Sequence, residues 1–287
     1  MKPIVKYQGG KTRELPLITK LLPKEYDTVL EPFAGGAAVS FALGHRCILN
    51  DMNDALINMY QQVSHPTAFH EVFSHVNWLK TLEHDDLSVE YYKARDYING
   101  KHVDPYEWAV SYITVRQLCF SGMERYNKSG QFNVPFGHYK KFSCNLDWNH
   151  MKFLHQSGSS IYHGDFEPIF DMATENDFIF IDPPYLDRLG YAHGSDTLHE
   201  RLVSCMHNSK AKWLFIHSDN DFYRDALSEY HIFYKQFGYA QRFGKNKNHD
   251  AASVSHMYVT NYEDEMTLHR VNNATLQNLL DRDRIEA

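Results

Sequence analysis

The 287-residue sequence contains no apolar run near the roughly 18 residues that a membrane-crossing helix needs. Its most apolar runs, residues 178–181 and 213–216, fall far short of that length, and residues 1–11 lack the apolar core of a signal peptide. A cytoplasmic protein is expected. Cysteine is scarce: Cys47, Cys119, Cys144 and Cys205 stand far apart and form no CxxC pair, which argues against a zinc ribbon and a disulfide scaffold. Free, mostly buried thiols are expected. Histidine is plentiful, but no HExxH pattern occurs, and His65, His70 and His75 recur every five residues, a spacing that does not stack on one helix face. No metal is expected. Internal repeats, low-complexity segments and the full GxGxxG of a dinucleotide site are also missing. Nor is there a positive balance, and a formal charge of −7 speaks mildly against a phosphate-bearing partner.

What is present has globular proportions, 43% hydrophobic and 23% charged, enough for one full α/β domain with a smaller insertion. The charge is unevenly spread. Arg116, Arg125, Lys128, Lys140, Lys141 and Lys152 face only Glu124 and Asp147 over residues 116–152, and Lys235, Arg242, Lys245 and Lys247 precede Asp250. Two basic islands therefore sit on an acidic body.

Residues 28–33 (TVLEPF) and 46–50 (RCILN) predict strands, and residues 35–43 between them predict a turn opening a helix. Residues 160–163, 178–181 and 212–217 continue the strand rhythm with helical patterns between, which implies a mostly parallel, doubly wound sheet. Thr197-Leu198-His199-Glu200 has the pattern of a capping box, placing a helix N-cap at Thr197. Residues 64–152 break the rhythm. They hold amphipathic patterns at 91–98 and 108–118 followed by a polar, aromatic stretch, and are read as an inserted domain dividing a catalytic domain into residues 1–63 and 153–262. The tail, 263–287, offers one amphipathic candidate at 273–281, with Leu276, Leu279 and Leu280 on one face.

Asp182-Pro183-Pro184-Tyr185 follows the apolar strand directly, at the carboxyl end where open α/β sheets hold ligands. The Asp182 carboxylate and the Pro183 carbonyl are two acceptors for an amino group whose lone pair is delocalised into a ring. Accepting its hydrogens localises that pair for attack. Pro184 pushes Pro183 out of the α region and so fixes the carbonyl's direction, while Tyr185 offers a flat face. A merely rigid turn is the alternative. Glu31-Pro32-Phe33-Ala34-Gly35-Gly36 leaves the first strand with glycines that let a ligand approach the backbone, a weak signal alone. Asp51 follows the second strand at about the distance at which an acid accepts from ribose hydroxyls. Capping a helix is its alternative, a role Asn53 or Asp54 could also fill. Tyr7-Gln8-Gly9-Gly10-Lys11 suits wrapping a flat, charged ligand or is only a flexible start.

Taken together, KYQGGK (6–11), EPFAGGAAV (31–39), DMNDALINMY (51–60), GDF (164–166), DPPY (182–185) and VTNY (259–262) resemble the Dam family of DNA N6-adenine methyltransferases, in order and spacing over nearly the whole chain to Tyr262. Six modest motifs in order are specific. The resemblance implies a Rossmann-like S-adenosylmethionine-dependent methyltransferase fold, with an inserted helical plus hairpin DNA-recognition domain and a late antiparallel strand over residues 252–260. It implies that Tyr7, Lys11, Asp51 and Asp182 contact S-adenosylmethionine, with Phe33, Gly35, Asp165 and Phe166 lining its pocket, and that Asp182, Pro183, Pro184 and Tyr185 form the catalytic pocket for a flipped adenine.

Within the insertion, Lys128-Ser129-Gly130 reads as a hairpin turn between polar strands, and a two-stranded ribbon can enter the major groove. Residues 125–140 resemble the recognition hairpin of Dam enzymes specific for GATC. The resemblance implies that Arg125 reads guanine and Pro135 meets a thymine methyl, with further double-stranded DNA contacts at Lys6, Phe120, Ser121, Met123 and Asn127. Lys140 is assigned to phosphate. One departure stands out: where the family often carries Tyr-Asn to wedge into the duplex, this chain has Phe120-Ser121. Phenylalanine can still stack, but serine cannot supply the amide contacts. The expected function is GATC-directed adenine-N6 methylation by a monomer. A methyltransferase of RNA or another amino substrate, and a DNA-binding relative without turnover, are the rivals. A role in restriction-modification, host marking or a mobile element is left open.

Overall fold

The computed structural model describes residues 1–101, 104–156, 158–186, 195–238 and 253–263. The first half of the chain forms α1 (Leu15–Ile18), β1 (Val29–Glu31), α2 (Ala38–Leu43), β2 (Cys47–Asp51), α3 (Asp54–Ser64), α4 (Pro66–Leu79), α5 (His84–Ile98), α6 (Pro105–Leu118) and α7 (Trp148–His155). There follow β3 (Ser160–His163), α8 (Glu167–Met172), β4 (Phe178–Ile181), α9 (Ser195–Asn208), β5 (Lys212–Ser218), α10 (Asp221–Ala226), β6 (His231–Gly238) and β7 (Ser253–Thr260). The chain divides into two compact units, Met1–Pro16 with Thr28–Ile169, and Leu17–Asp27 with the chain from Phe170 onward.

In the first unit β2 lies between β1 and β3 and is parallel to both, pairing Val29 with Cys47 and Asp51 with His163. Polar side chains set where its helices begin. Asn53 accepts from Leu56 N at 3.0 Å to cap α3, and Asp104 accepts from Tyr106 N and Glu107 N ahead of Pro105 to start α6. Asp147 caps α7 in a reciprocal box with His150. The buried Glu31 carboxylate at the end of β1 reaches Ser40 N at 2.7 Å, so a strand residue satisfies a first-turn donor of α2. One hydrophobic core runs through the unit, joining Phe41, Leu49 and Tyr60 to Val76, Tyr91, Ile113, Phe132 and Phe136. α3 packs on α6 and α7, and α5 on α6.

In the second unit β4 is parallel to β5, β7 runs antiparallel beside β5, and β6 pairs antiparallel with the outer side of β7. All four residues of β4 are buried, the continuous apolar run typical of a strand covered on both faces. Parallel strands with a single late reversal give the mixed α/β fold that the motifs imply, consistent with a Rossmann-like methyltransferase. The expected antiparallel strand is β7, beginning at Ser253; Ala252 lies outside the described residues. So do Arg242, Lys245, Lys247, Asp250 and the amphipathic candidate at 273–281.

One expectation needs correcting. Thr197 is not an N-cap, because α9 already includes Ser195. The Thr-x-x-Glu pattern therefore falls inside the first turns of the helix instead of marking its boundary.

Candidate active site and DNA interface

The turn after β1 is held from two sides. Gly35 has φ +47°, and a Cβ there would lie 2.8 Å from the Tyr7 ring, so a side chain is excluded both by strain and by the packed tyrosine. Its N–H donates to Asp51 Oδ2 at 2.8 Å, and its carbonyl accepts from the buried Tyr60 hydroxyl at 2.7 Å. Burial holds the Tyr60 phenol well above its ordinary range, so it remains a donor. Asp51 Oδ1 accepts from Asn53 N at 2.9 Å, and because Asn53 caps α3 itself, Asp51 is not needed as the side-chain cap. Burial raises the Asp51 carboxyl, an effect that outweighs the opposing hydrogen bonds from Asn53 N and Gly35 N.

Asn50 Nδ2 donates to the Pro32 and Gly164 carbonyls at 2.9 and 3.0 Å, tying the loop after β1 to the loop after β3. Phe33 and Phe166 stand 5.2 Å apart between ring centroids, and Asp165 Oδ1 accepts from Glu167 N. The Gly10 N–H closes a turn onto the Tyr7 carbonyl across Gly9, whose φ is +82°, and the buried Lys11 ammonium donates to the Gly9 carbonyl at 3.0 Å. Thus Tyr7, Phe33, Gly35, Asp51, Asp165 and Phe166 meet in one region of the first unit, through residues to which sequence reasoning gave no role: Asn50 and Tyr60. Tyr60 closes the DMNDALINMY motif, and its spacing from Asp51 was the available signal.

Arg116 was counted in a basic island, but it is 1% exposed. Its guanidinium donates to the carbonyls of Lys6, Met123 and Gly122 at 3.1 to 3.2 Å, lies 5.6 Å from the Tyr7 ring centroid and is 3.6 Å from Glu124. Its charge is spent inside the protein. Lys6 stays exposed while donating to the Gln117 carbonyl at 2.7 Å and lying over the Tyr139 ring.

The stretch after α6 turns back on itself. Backbone bonds join Phe120 to Pro135, Arg125 to Asn133 and Asn127 to Gln131, with isolated bridges at Cys119–Phe136 and Tyr126–Phe132. The ribbon is thus a hairpin interrupted by the single 3-10 turn Phe120–Gly122, in which Ser121 has φ +56°. Asn127 Oδ1 takes Ser129 N and Gln131 N, each at 2.9 Å, and Gly130 closes the turn at φ +75°. Asn127 therefore builds the turn at Lys128-Ser129-Gly130. Arg125 is exposed and crosses the hairpin, its Nε 2.7 Å from Asn133 Oδ1 and its Nη2 3.0 Å from the Asn133 carbonyl. Glu124 instead accepts from the Tyr126 hydroxyl. Phe120, Pro135 and Lys140 are exposed, and Met123 is half-buried.

In the second unit, Asp182-Pro183-Pro184-Tyr185 leaves the carboxyl end of β4, with Pro183 buried and the other three half-buried. The Tyr185 ring contacts His217, 4.7 Å away between centroids, and meets His256 edge-on at 5.6 Å.

Residues 7–241 match the D12 class N6 adenine-specific DNA methyltransferases. The chain belongs to this family. It is an adenine-specific DNA methyltransferase and acts on DNA. It is 32% identical over 273 residues to the type II methyltransferase M.CviBI of Paramecium bursaria Chlorella virus NC1A, spanning 91% of this chain and 100% of that one. It is 30% identical to the type II methyltransferase M1.LlaDCHI of Lactococcus lactis over 91% of this chain and 96% of the relative. A DNA adenine methylase of Haemophilus influenzae shares 31% identity over 64% of each chain. Methyltransferases generally draw the methyl group from S-adenosylmethionine, and the half-buried carboxylate of Asp51 beside a glycine that admits no side chain suits a ribose-bearing, close-packed ligand. Among the described residues no group of three or more His, Cys, Asp or Glu side chains could hold a metal ion, and no helix is long and apolar enough to cross a membrane.

Proposed function

We propose that this methyltransferase acts as a monomer on adenine in GATC and draws that base out of the duplex before transfer. Residues 64–152 are assigned to target recognition, and residues 1–63 with 153–262 to catalysis. Tyr7, Lys11, Phe33, Gly35, Asp51, Asp165 and Phe166 hold S-adenosylmethionine, which supplies an electrophilic methyl group when bound. The Asp182 carboxylate and the Pro183 carbonyl accept the hydrogens of the adenine amino group, which frees its lone pair, while Pro184 fixes that carbonyl and Tyr185 stacks on the base. Extruding the base costs a few kcal/mol, offset by stacking and by hydrogen bonds to its edge.

The observation that carries the sequence assignment is the setting of Arg125. Asn133 takes its Nε and one Nη2 hydrogen, which leaves the fork of Nη1 and Nη2 for a second planar partner. Guanine O6 and N7 in the major groove match that fork. Pro135 is assigned to the thymine methyl, Lys140 to phosphate, and Lys6, Phe120, Ser121, Met123 and Asn127 to the surrounding duplex. Phe120 supplies the wedge by stacking, and Ser121 contributes no amide. Sequencing the methylated adenines in DNA from cells that express the protein tests this reading. GATC should be the enriched motif, and a different motif overturns it.

A further inference from the structure

The carboxyl end of β5 carries a histidine that no part of the proposed reaction uses. His217 is fully buried, and both ring nitrogens are engaged. Nε2 lies 3.3 Å from the Leu186 amide nitrogen; an amide N–H can only donate, so Nε2 must be an unprotonated acceptor. Nδ1 lies 2.8 Å from the Ser218 carbonyl oxygen, 3.2 Å from the Ser218 hydroxyl and 3.0 Å from Asn220 Nδ2. Asn220 Oδ1 accepts from the Tyr223 N–H at 3.0 Å as the cap of α10, so Nδ2 is the end that faces both the Ser218 carbonyl, at 2.8 Å, and His217 Nδ1, at 3.0 Å.

Its faces are equally confined. Phe215 lies nearly parallel to the ring, with an interplanar angle of 6°. Tyr223 of α10 and His199 of α9 stand at 4.8 and 5.8 Å between centroids, and Tyr185 lies at 4.7 Å. His217 thus grips two consecutive residues, Tyr185 by its ring and Leu186 by its backbone, immediately beyond Pro184. β4 fixes the start of the tetrapeptide, and His217 fixes its end.

We infer that His217 is a positioning residue for the catalytic loop, orienting Tyr185 and the Pro183 carbonyl for the target base by holding the Leu186 amide. The inference rests on the catalytic assignment of Asp182 to Tyr185. A misplacement of about 1 Å at a reacting group costs on the order of 100-fold in rate, and that is the loss expected when the Leu186 anchor is removed.

Three full-length variants, His217→Phe, His217→Gln and Asp182→Asn, are compared with the wild type in single-turnover methylation of duplex DNA, in S-adenosylmethionine affinity and in thermal melting. His217→Phe keeps a ring beside Tyr185 and loses the acceptor, so the transfer rate should fall by about 100-fold while cofactor affinity holds. In His217→Gln the side-chain oxygen can replace Nε2, and most of the rate should return. An unimpaired His217→Phe, or equal impairment of both variants, overturns the inference. Full activity in Asp182→Asn instead removes the catalytic assignment on which it rests. Nitrogen NMR of the wild-type protein supplies a readout that needs no variant: His217 should be neutral and protonated on Nδ1, and a ring protonated on Nε2 overturns the proposal.

Discussion

Two turns of the first unit, each built around a glycine of positive φ, are held in opposite ways. The Gly35 turn is fixed from outside, its N–H by Asp51 of β2 and its carbonyl by Tyr60 of α3. The turn from Asn127 to Gly130 is fixed by its own residues, through the Asn127 side chain and its partner Gln131. The first turn is inseparable from the core that supports it, so its sequence is constrained from several directions. The second is self-contained and exposed. Changes at the Gly35 turn should therefore cost stability and cofactor affinity together, whereas changes on the hairpin should alter DNA recognition with little effect on stability.

The largest effect lies in neither turn and sets the scale for both. Asp182→Ala should abolish methyl transfer without unfolding the protein, because the acceptor for the amino group disappears. A variant with full activity in a labelled-methyl assay would remove the mechanism.

Asp51→Ala should weaken cofactor binding by about 1 to 3 kcal/mol, the range for a lost charge-assisted hydrogen bond, and should also lower the melting temperature, since two backbone donors lose their acceptor. Calorimetric titration and thermal melting check this; a fall in DNA affinity with cofactor binding intact would show that Asp51 serves the other turn. Protonation sharpens the point. Burial raises the Asp51 carboxyl above its unfolded value, so its contribution to folding is present at low pH and is lost as pH rises through that raised value. Cofactor binding needs the carboxylate and has the opposite sign. Acidification through the same window should weaken S-adenosylmethionine binding in the wild type, and this part of the pH dependence should be absent in Asp51→Asn.

On the hairpin, Arg125→Ala should cost about 1 to 3 kcal/mol of discrimination at the guanine and leave the melting temperature nearly unchanged. Rates on GATC and on duplexes altered only at the first base decide it. An unchanged ratio rules out guanine readout, and a uniform loss of activity together with stability would mean that the bonds from Arg125 to Asn133 serve the fold. The smallest effect is expected from Lys140→Ala, which should weaken binding to all sequences alike and reduce the salt slope by about 1.

The parts of the fold legible in the sequence were those where one local signal dominates. β4 is a bare apolar run with polar neighbours, and β1 and β2 end in recognisable polar or glycine-rich residues. The helix α4 was not foreseen: it starts at Pro66 behind His65, which makes no side-chain cap bond. Nor was α7, whose capping box uses Asp147 and His150 in place of the usual Ser or Thr with Glu. The familiar pattern occurred instead at Thr197, inside α9, where it marks no boundary. β6 went unseen because its half-exposed edge residues neither alternate cleanly nor form a continuous apolar run. Within the candidate site, motif residues were visible but their supports were not. A charge count treats Arg116 as surface, because the carbonyls that surround it belong to residues far away or without side-chain signature.

Those carbonyls also set an order on the making of the protein. Gln117 donates to Ile4, Arg116 to Lys6, Asn145 to Pro3, and the Glu124 amide to Gln8, while His150 bonds the Lys2 carbonyl. Residues 2–8 thus have as partners residues synthesised more than a hundred positions later. At ordinary elongation rates of about 5 to 20 residues per second, the Tyr7 segment waits roughly 5 to 30 seconds for these partners. Nascent chains that end before residue 116 contain Tyr7, Gly35 and Asp51 but lack these five bonds to residues 2–8, so the segment around Tyr7 is among the last parts of this unit to be secured.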